Sequence, residues 1–341
     1  MYHSRNFQIL VPIPGKEKRY SRNDIEIEEV VGGLSFHPQD MDIENRIEES
    51  WKRLLNNAEE QVKEGKRKGM PFSGPLYSLE GFENNYSRMK LYLGGTNFRD
   101  SIGTNWEAGR DSEYMDLLKE RGLNRKGNEY GYFADALAMC TAVKTHNEKG
   151  EVVYLIGMRS YELDEYPLCI HVPGTVGNRK PFQDKPFDPF ESIYYEALSK
   201  ELFLEERDIL NISCLGLVRN GYSLKPELVF ETEVGQPFEK IKQERMRLAP
   251  QRSEHFTTFS VEQERLAEFL NITQKPEDSE FFNKTDLSDP DKSRILEPYS
   301  KRGRLVENTG NWWVPTGEAC LTLVCINEGV NIDEFPYIEV D

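Results

Sequence analysis

Residues 188–207, "DPFESIYYEALSKELFLEER", carry the pattern that decides the fold class. The Asp-Pro start with Glu191 three positions after Asp188 predicts a capped helix, because Asp accepts backbone N–H groups and Pro suits the first helical position. Apolar side chains recur at helical spacing, at Ile193, Ala197, Leu198 and Leu202. The segment is therefore predicted to be an amphipathic helix that packs its apolar side on a core.

The polar side of this predicted helix is acidic. Glu201 and Glu205 are four residues apart, so a helix would place their carboxylates one turn apart on the same face. Like charges at this spacing repel each other, and a divalent cation would reverse that cost because hard cations bind carboxylate oxygens. Two interpretations stay open at this point: an acidic face in solvent, or a metal site.

Strands surround this helix in the sequence. Apolar or alternating runs with turn residues between them predict a hairpin and three further strands. These are residues 134–145 and 151–160, which are joined by "HNEKG", and then residues 166–174, 212–220 and 226–234. Further along, 261–271 is predicted to be a helix, and the apolar run 316–326 a buried helix or strand.

The N-terminal part has a different texture. Strands are predicted at 7–14, 24–36 and 87–95, and an amphipathic helix at 44–65. A glycine-rich stretch, "GGTNFRDSIGTNW", follows at 94–106, and then a helix from residue 112 that Gly122 is expected to stop. The composition changes near Ala134. The chain is therefore divided into an N-terminal extension, 1–130, and a second domain, 131–341.

Composition narrows the function classes. The formal net charge of −16 argues against a nucleic-acid partner, because such proteins neutralise phosphates with Lys and Arg. No apolar run reaches the ~18 residues of a membrane span, and the N-terminus lacks an apolar leader, so a cytoplasmic location is expected. The five cysteines are scattered without a Cys-x-x-Cys pair, which predicts buried free thiols.

The strand that ends "HVPG", the loop and the acidic helix together resemble the Nudix hydrolase box. Gly174 matches the leading glycine of the box, and residues 200–202, Lys-Glu-Leu, match its Arg-Glu-apolar core. Glu205 matches the second of its paired glutamates. The resemblance implies that Glu201 and Glu205 are catalytic and hold Mg²⁺, with Mn²⁺ as a substitute, in agreement with carboxylates on one helix face.

The box also departs from the family pattern. Thr175 replaces its second glycine, and the loop before the helix is longer than in the family. Leu204 replaces the first acid of the glutamate pair, and Arg207 replaces the closing glycine. The open question is whether Glu201 and Glu205 suffice where Leu204 stands in place of a usual ligand.

A wider resemblance covers about residues 7 to 330. Three segments resemble the divergent Nudix branch that hydrolyses UDP-glucose and UDP-galactose: "LYLGGTNFRDSIGTNW" at 91–106, the hairpin with the strand before the box, and "CLGLVRN" followed by "PELVF" at 214–230. This implies an α/β/α Nudix sandwich with a mixed sheet and an N-terminal α+β extension. It also implies metal-dependent hydrolysis of a small-molecule UDP-sugar to UMP and sugar 1-phosphate.

Two alternatives remain beside this activity. The first is hydrolysis of another nucleoside diphosphate, such as ADP-ribose. The second is a catalytically weak protein that binds nucleotide sugars, which the departures at Leu204 and Arg207 favour.

The resemblance extends the candidate site beyond the box. Glu227, at the start of "PELVF", becomes a third metal ligand, and the expected substrate-binding residues are Gly174, Arg99, Asn105, Arg159 and Arg219. Arg159 fits either a phosphate clamp or a surface salt bridge, since its guanidinium is a rigid fork for phosphate oxygens. Arg99 and Arg219 fit either substrate contacts or structural turns. His171, directly before the Pro-Gly turn, is predicted to be structural.

Overall fold

The computed structural model describes residues 2–4, 6–11, 19–30, 40–65, 69–85, 87–159, 166, 169–179, 186–248, 255–271, 313–331 and 338–340. Thirteen strands lie in these ranges: β1 Tyr2–Ser4, β2 Phe7–Val11, β3 Ile25–Glu29, β4 Pro75–Asn84, β5 Met89–Asn97, β6 Ala138–His146, β7 Val152–Arg159, β8 Ile170–His171, β9 Gly174–Val176, β10 Ile209–Asn220, β11 Pro226–Val234, β12 His255–Glu262 and β13 Ile338–Val340.

Helices connect these strands. They are α1 Met41–Lys63, α2 Phe98–Ser101, α3 Glu107–Arg110, α4 Ser112–Lys126, α5 Pro189–Ser192, α6 Lys200–Leu202, α7 Phe238–Leu248, α8 Leu266–Leu270 and α9 Pro315–Asn327. A π-helical segment, Ile102–Trp106, joins α2 to α3, and another, Ile193–Ser199, joins α5 to α6. We call the continuous run 189–202 the acidic helix.

The large sheet is mixed. Its strand order is β12-β7-β6-β11-β10-β2-β1-β13, with β8 paired to β7 and β9 paired to β6. The β6–β11 pair is parallel, whereas β6–β7 and β10–β11 are antiparallel. A second sheet has three strands in the order β3-β5-β4.

Helices cover both faces of the large sheet. Successive side chains of a strand point to opposite faces, so each strand contributes residues to two cores. On one face, β7 residues Tyr154 and Ile156 belong to a core with α8 and α9. On the other face, Val153 and Leu155 belong to a core with the acidic helix and α7. The predicted α/β/α sandwich with a mixed sheet is therefore confirmed.

The N-terminal segment is joined to the large sheet at several places. Strand β2 pairs with β10, with Ile9 opposite Val218, and so lies inside the sheet. Isolated bridges join Leu76 to Asn178 and Ser78 to Ala136. The division at residue 130 stays a prediction. Strand β2 belongs to the N-terminal part by sequence but pairs within the sheet of the second part.

One local prediction is wrong. Helix α4 passes through Gly122 and ends at Gly127, whose φ of 66° is the left-handed conformation that ends many helices. Gly122 is needed for another reason, since a Cβ there would lie 2.6 Å from the carbonyl oxygen of Asn128. In the glycine-rich stretch 94–106, β5 continues to Asn97 and a helix begins at Phe98.

Other predictions hold. The run 316–326 lies in the buried helix α9. All five cysteines are buried and free, as expected. Within the described parts of the chain, no helix has the length and apolar character needed to cross a membrane.

Candidate functional site

A cavity of about 630 Å³ opens where the large sheet meets the acidic helix and the start of α9. Its wall takes residues from the first half of β6, the end of β7, β8, β9 and the start of β11. The N-terminal part contributes the start of β4 and Phe98. The cavity therefore draws on both parts of the chain and includes segments that the sequence analysis singled out.

Charged side chains of both signs line this cavity. The cationic ones are Arg159, Arg179, Lys200 and Lys225, and the acidic ones are Glu196 and Glu227. Four cations against two carboxylates give a locally positive wall in a chain whose net charge is −16. Such a wall favours an anionic ligand, because a cleft concentrates the field of the charges that line it.

Glu201 is buried beside the cavity rather than on its wall. Its side chain is 7% exposed and faces the charges of Arg245 and Arg159. Burial raises the pKa of Glu201 to about 8, although both guanidinium charges act in the opposite direction. The Arg245 Nε atom also donates to the main-chain oxygen of Glu201 at 3.2 Å. Glu201 is thus held at the end of the acidic helix by α7.

Glu227 lies on the cavity wall, as the second residue of β11. The parallel register places it opposite Ala138 of β6, which also lines the cavity. Burial raises the pKa of Glu227, while interactions with Thr316, Cys140 and two nearby cations lower it. Arg159 is one of those cations, and it also acts on Glu201. The charge of one arginine therefore lowers the pKa of two of the three carboxylates predicted as metal ligands.

Glu205 does not share a helix face with Glu201, so that prediction is wrong. The acidic helix ends at Leu202, and Phe203 adopts a left-handed φ of 60° that turns the chain away. Glu205 then precedes a 3₁₀ turn, Glu206–Asp208, with its side chain 63% exposed and paired to Arg207 at 2.9 Å.

Leu204 gives the physical reason for this early end. It is 2% exposed and belongs to the core between the sheet and the acidic helix. The Phe203 N–H donates to the Ser199 main-chain oxygen at 3.1 Å and the Leu204 N–H to the Leu198 main-chain oxygen at 3.2 Å, so both bonds turn the chain back onto the last turn of the helix. Leu204 stands where the Nudix box has the first acid of its glutamate pair. Its burial in the core ends the helix, which an acid at this position would not do in the same way.

The carboxylates do not form a ready metal cage. Among the described residues, no group of three or more His, Cys, Asp or Glu side chains is placed to hold a metal ion. Glu201 is buried with a raised pKa, Glu227 lies on the cavity wall, and Glu205 faces solvent. The side chains as they stand do not fit a bound cation.

The predicted substrate-binding residues fall into two groups. Gly174 and Arg159 line the cavity. Arg99, Asn105 and Arg219 do not: Arg99 pairs with Glu44 at 2.9 Å, and the other two bind buried Asp135. The structure thus supports the structural alternative for Arg99 and Arg219, and it places Asn105 in the same buried network.

Some cavity residues carried no signal in the sequence. Arg179 and Lys225 lie in connecting segments without a periodic pattern, and Thr316 belongs to a run recognised only as apolar. His171, predicted to be structural, also lines the cavity. The packing of segments that are distant in the sequence brings these positions together.

Comparisons with known proteins give limited similarity. No family model matches the chain. A curated protein, uridine diphosphate glucose pyrophosphatase NUDT22 from Mus musculus, is 33% identical over 87 residues, which cover 26% of this chain and 25% of that protein. The match thus spans about a quarter of the relative's length.

Three solved structures also match the chain at low similarity. RenU, a Nudix hydrolase from M. smegmatis, is 12% identical with a TM-score of 0.27 and covers 50% of this chain and 88% of its own. A mutT/nudix family protein from Listeria innocua is 13% identical with a TM-score of 0.28, covering 51% and 98%. A C. elegans Ap4A hydrolase is 12% identical with a TM-score of 0.24, covering 49% and 98%.

We base no argument on structures with TM-scores this low and use only the sequence match to the mouse protein. It agrees with the resemblance carried by the box and the strands around it. The chain therefore resembles the Nudix hydrolases, as its sequence indicated.

Proposed function

We propose that this protein hydrolyses the pyrophosphate bond of a UDP-sugar, UDP-glucose or UDP-galactose. A water oxygen would bond to one phosphorus while the bridging P–O bond breaks, which gives UMP and sugar 1-phosphate. The observation that carries the proposal is the locally positive cavity in a strongly acidic chain. Its volume of about 630 Å³ falls within the usual range for small-molecule sites.

The cations of the cavity suit a diphosphate. Arg159 and Arg179 offer planar forks for phosphate oxygens, and Lys200 and Lys225 add point charges. Phosphoryl transfer depends mainly on positioning and charge stabilisation, and needs little covalent help from the protein. The four cationic side chains would therefore position the diphosphate and stabilise the charge that develops on it.

The choice of a UDP-sugar rests on similarity. The segments 91–106 and 214–230 resemble the branch that acts on UDP-glucose and UDP-galactose, and the mouse relative is named a UDP-glucose pyrophosphatase. ADP-ribose remains the alternative substrate. The free cysteines add support for a reducing, cytoplasmic location.

The proposal includes a requirement for Mg²⁺, with Mn²⁺ as a substitute, and Glu201, Glu205 and Glu227 as its ligands. For Glu205 this requires a rearrangement, because its carboxylate now faces solvent. The turn at Phe203 is the place where it would occur. A left-handed backbone costs a non-glycine residue ~1–2 kcal/mol, so the turn is held by burial of Leu204 against local strain.

A substrate panel tests the activity. UDP-glucose, UDP-galactose and ADP-ribose are incubated with the protein, with Mg²⁺ or with EDTA, and release of phosphomonoester is measured. We expect release from the two UDP-sugars with Mg²⁺ and none with EDTA. Faster release from ADP-ribose would replace the substrate assignment, and equal release in EDTA would remove the metal requirement.

Three substitutions test the acidic residues. Glu201→Gln, Glu205→Gln and Glu227→Gln should each lower turnover about 100-fold or more, because each removes a carboxylate that acts on the reacting groups. Glu233→Gln is the matched control, since Glu233 lies on the same strand as Glu227 but is exposed. Full activity in Glu205→Gln would remove Glu205 from the site and leave the other two assignments standing.

One observation favours the second candidate, a nucleotide-sugar-binding protein with weak catalysis. It is the exposed position of Glu205, which leaves the cavity with fewer acidic groups than the resemblance implies. A rise in melting temperature with UDP-glucose, without hydrolysis of any sugar in the panel, would support this candidate and contradict the first.

A further inference from the structure

Part of the cavity wall is formed by the first turn of α9, and Thr316 is its polar residue. Thr316 is 1% exposed and lines the cavity. Its hydroxyl lies beside the Glu227 carboxyl, whose pKa it lowers as a hydrogen-bond donor, and its oxygen accepts no hydrogen bond from any described atom. Buried hydroxyls are normally hydrogen-bonded, so this oxygen is expected to accept a hydrogen bond from a ligand in the cavity.

The same turn is poorly suited to a phosphate. Pro315 has no N–H, and the N–H groups of Gly317 and Glu318 both donate to the Val314 oxygen, at 2.9 and 3.1 Å. Glu318 adds a carboxylate to this turn, where Asn6 donates to it at 2.9 Å. Anions bind helix N-termini through free N–H groups and positive potential, and both are reduced here. An uncharged hydroxyl group fits this turn better.

His171 stands against the same turn. Its imidazole is 3% exposed, and the residue lines the cavity. A Cβ at Gly317 would lie 2.4 Å from its Nδ1 atom, and a Cβ at Gly174 would lie 3.3 Å from its Nε2 atom. Gly317 occupies a helical position, where glycine is less favourable than alanine. These two glycines therefore leave the space in which the imidazole lies beside Thr316.

We propose that His171 and Thr316 form a subsite for uncharged hydroxyl groups, and that it binds the sugar end of the nucleotide sugar. This inference rests on the proposed function. A threonine hydroxyl both donates and accepts hydrogen bonds, and a neutral imidazole has one donor and one acceptor nitrogen. Sugar hydroxyls have the same dual character. The cations of the cavity then bind the diphosphate, and the two residues distinguish a nucleotide sugar from a bare nucleotide.

Calorimetric binding of UDP-glucose and of UDP, in EDTA so that no turnover is expected, tests the subsite. The wild-type protein should bind UDP-glucose more tightly than UDP. Thr316→Val removes the hydroxyl at similar size and should weaken UDP-glucose binding ~3- to 10-fold, the usual effect of one hydrogen bond. Binding of UDP should not change. Thr316→Ser keeps the hydroxyl and should retain the wild-type ratio of affinities.

Thr322→Val is the matched control in the same helix. Thr322 is fully buried, and its hydroxyl donates to the Glu318 main-chain oxygen at 2.9 Å. This variant should keep both affinities. His171→Leu removes both ring nitrogens, tests the subsite independently, and should lower the affinity for UDP-glucose but not for UDP. It replaces Thr316→Val if the melting temperature shows that the latter does not fold.

The outcomes separate the two proposals. Equal weakening of UDP-glucose and UDP in Thr316→Val, or no weakening of either, would overturn the subsite while wild-type hydrolysis of UDP-glucose still supported the proposed function. A wild-type protein that bound UDP-glucose no more tightly than UDP would do the same. If the wild type bound neither ligand and hydrolysed none of the panel, the proposed function would fail and the subsite with it.

Discussion

Two opposing effects act on the pKa of the Glu201 carboxyl: burial and the charges of nearby arginines. It lies in the apolar interior at the end of the acidic helix, where burial raises its pKa to about 8. The guanidinium groups of Arg245 and Arg159 favour the ionised form but do not offset the loss of water. A buried acid next to a ligand cavity with such a shifted pKa is typical of functional sites.

Glu201 should make the protein less stable as pH rises. At about pH 4 the carboxyl is protonated in both the folded and the unfolded chain, so the raised pKa has no effect. Between its ordinary value of 4.5 and about 8, only the unfolded chain releases the proton, and the free energy of unfolding falls. The full shift corresponds to at most about 5 kcal/mol.

Glu201→Gln should flatten this pH dependence. Urea unfolding at about pH 4 and about pH 9 should show similar stability of wild type and variant at the lower pH, and a more stable variant at the higher pH. Glu233→Gln, at an exposed position, should follow the wild type at both. Parallel curves for Glu201→Gln and wild type would contradict the assigned burial of the charge.

The acidic helix shows which features the sequence could predict. Its start follows from local chemistry: the Asp188 side chain accepts the N–H groups of Phe190 and Glu191 at 2.8 and 3.2 Å. Its apolar stripe, including Ile193 and Leu198, is buried as the spacing indicated. Its end was missed, because burial of Leu204 depends on a core built from distant strands. Local patterns do not carry that information.

Leu204→Ala should weaken the end of this element. Removing a buried leucine side chain commonly costs ~2–4 kcal/mol, so we expect a loss of that order in the free energy of unfolding. Leu210→Ala is the matched control, because Leu210 is 64% exposed and should change stability by less than ~0.5 kcal/mol. Equal losses in the two variants would contradict the placement of Leu204 in the core.

Across the whole molecule, the cavity depends on sheet topology. Strand patterns predicted β6, β7, β10 and β11, and the family resemblance implied the α/β class. The cavity also needs the start of α9 next to β6 and the start of β4 next to residue 178, which long segments of sequence separate. No periodicity in the chain specifies these neighbours, so residues such as Arg179 and Thr316 could not be predicted.

Two residues of the N-terminal part contact a buried charge pair of the second domain. Arg219 of β10 binds Asp135 at 3.0 Å, with both side chains almost fully buried. Asn105, from the π-helical segment, donates to the same carboxylate at 3.2 Å and to the Ser223 main-chain oxygen at 3.1 Å. The Arg219 guanidinium also lies 3.9 Å from the centre of the Tyr130 ring. Two residues expected at the substrate thus stabilise the junction of the two parts.

Arg219→Met should therefore destabilise the protein strongly. Breaking a buried pair leaves an uncompensated charge on Asp135, at a cost of ~3–5 kcal/mol near neutral pH. Burial already raises the pKa of Asp135, and loss of the arginine charge should raise it further. A raised carboxyl pKa makes stability fall as pH increases, so the loss should shrink at about pH 4, where the carboxyl takes up its proton.

Thermal unfolding at about pH 4 and about pH 8 measures this effect. Adding Asp135→Asn to Arg219→Met should remove the extra pH dependence and recover part of the stability, because no buried charge remains. Arg207→Met is the matched control, since the Arg207 side chain is 79% exposed, and it should leave the melting temperature nearly unchanged. If Arg219→Met lost the same stability at both pH values, the loss would come from packing at the junction and not from the charge on Asp135.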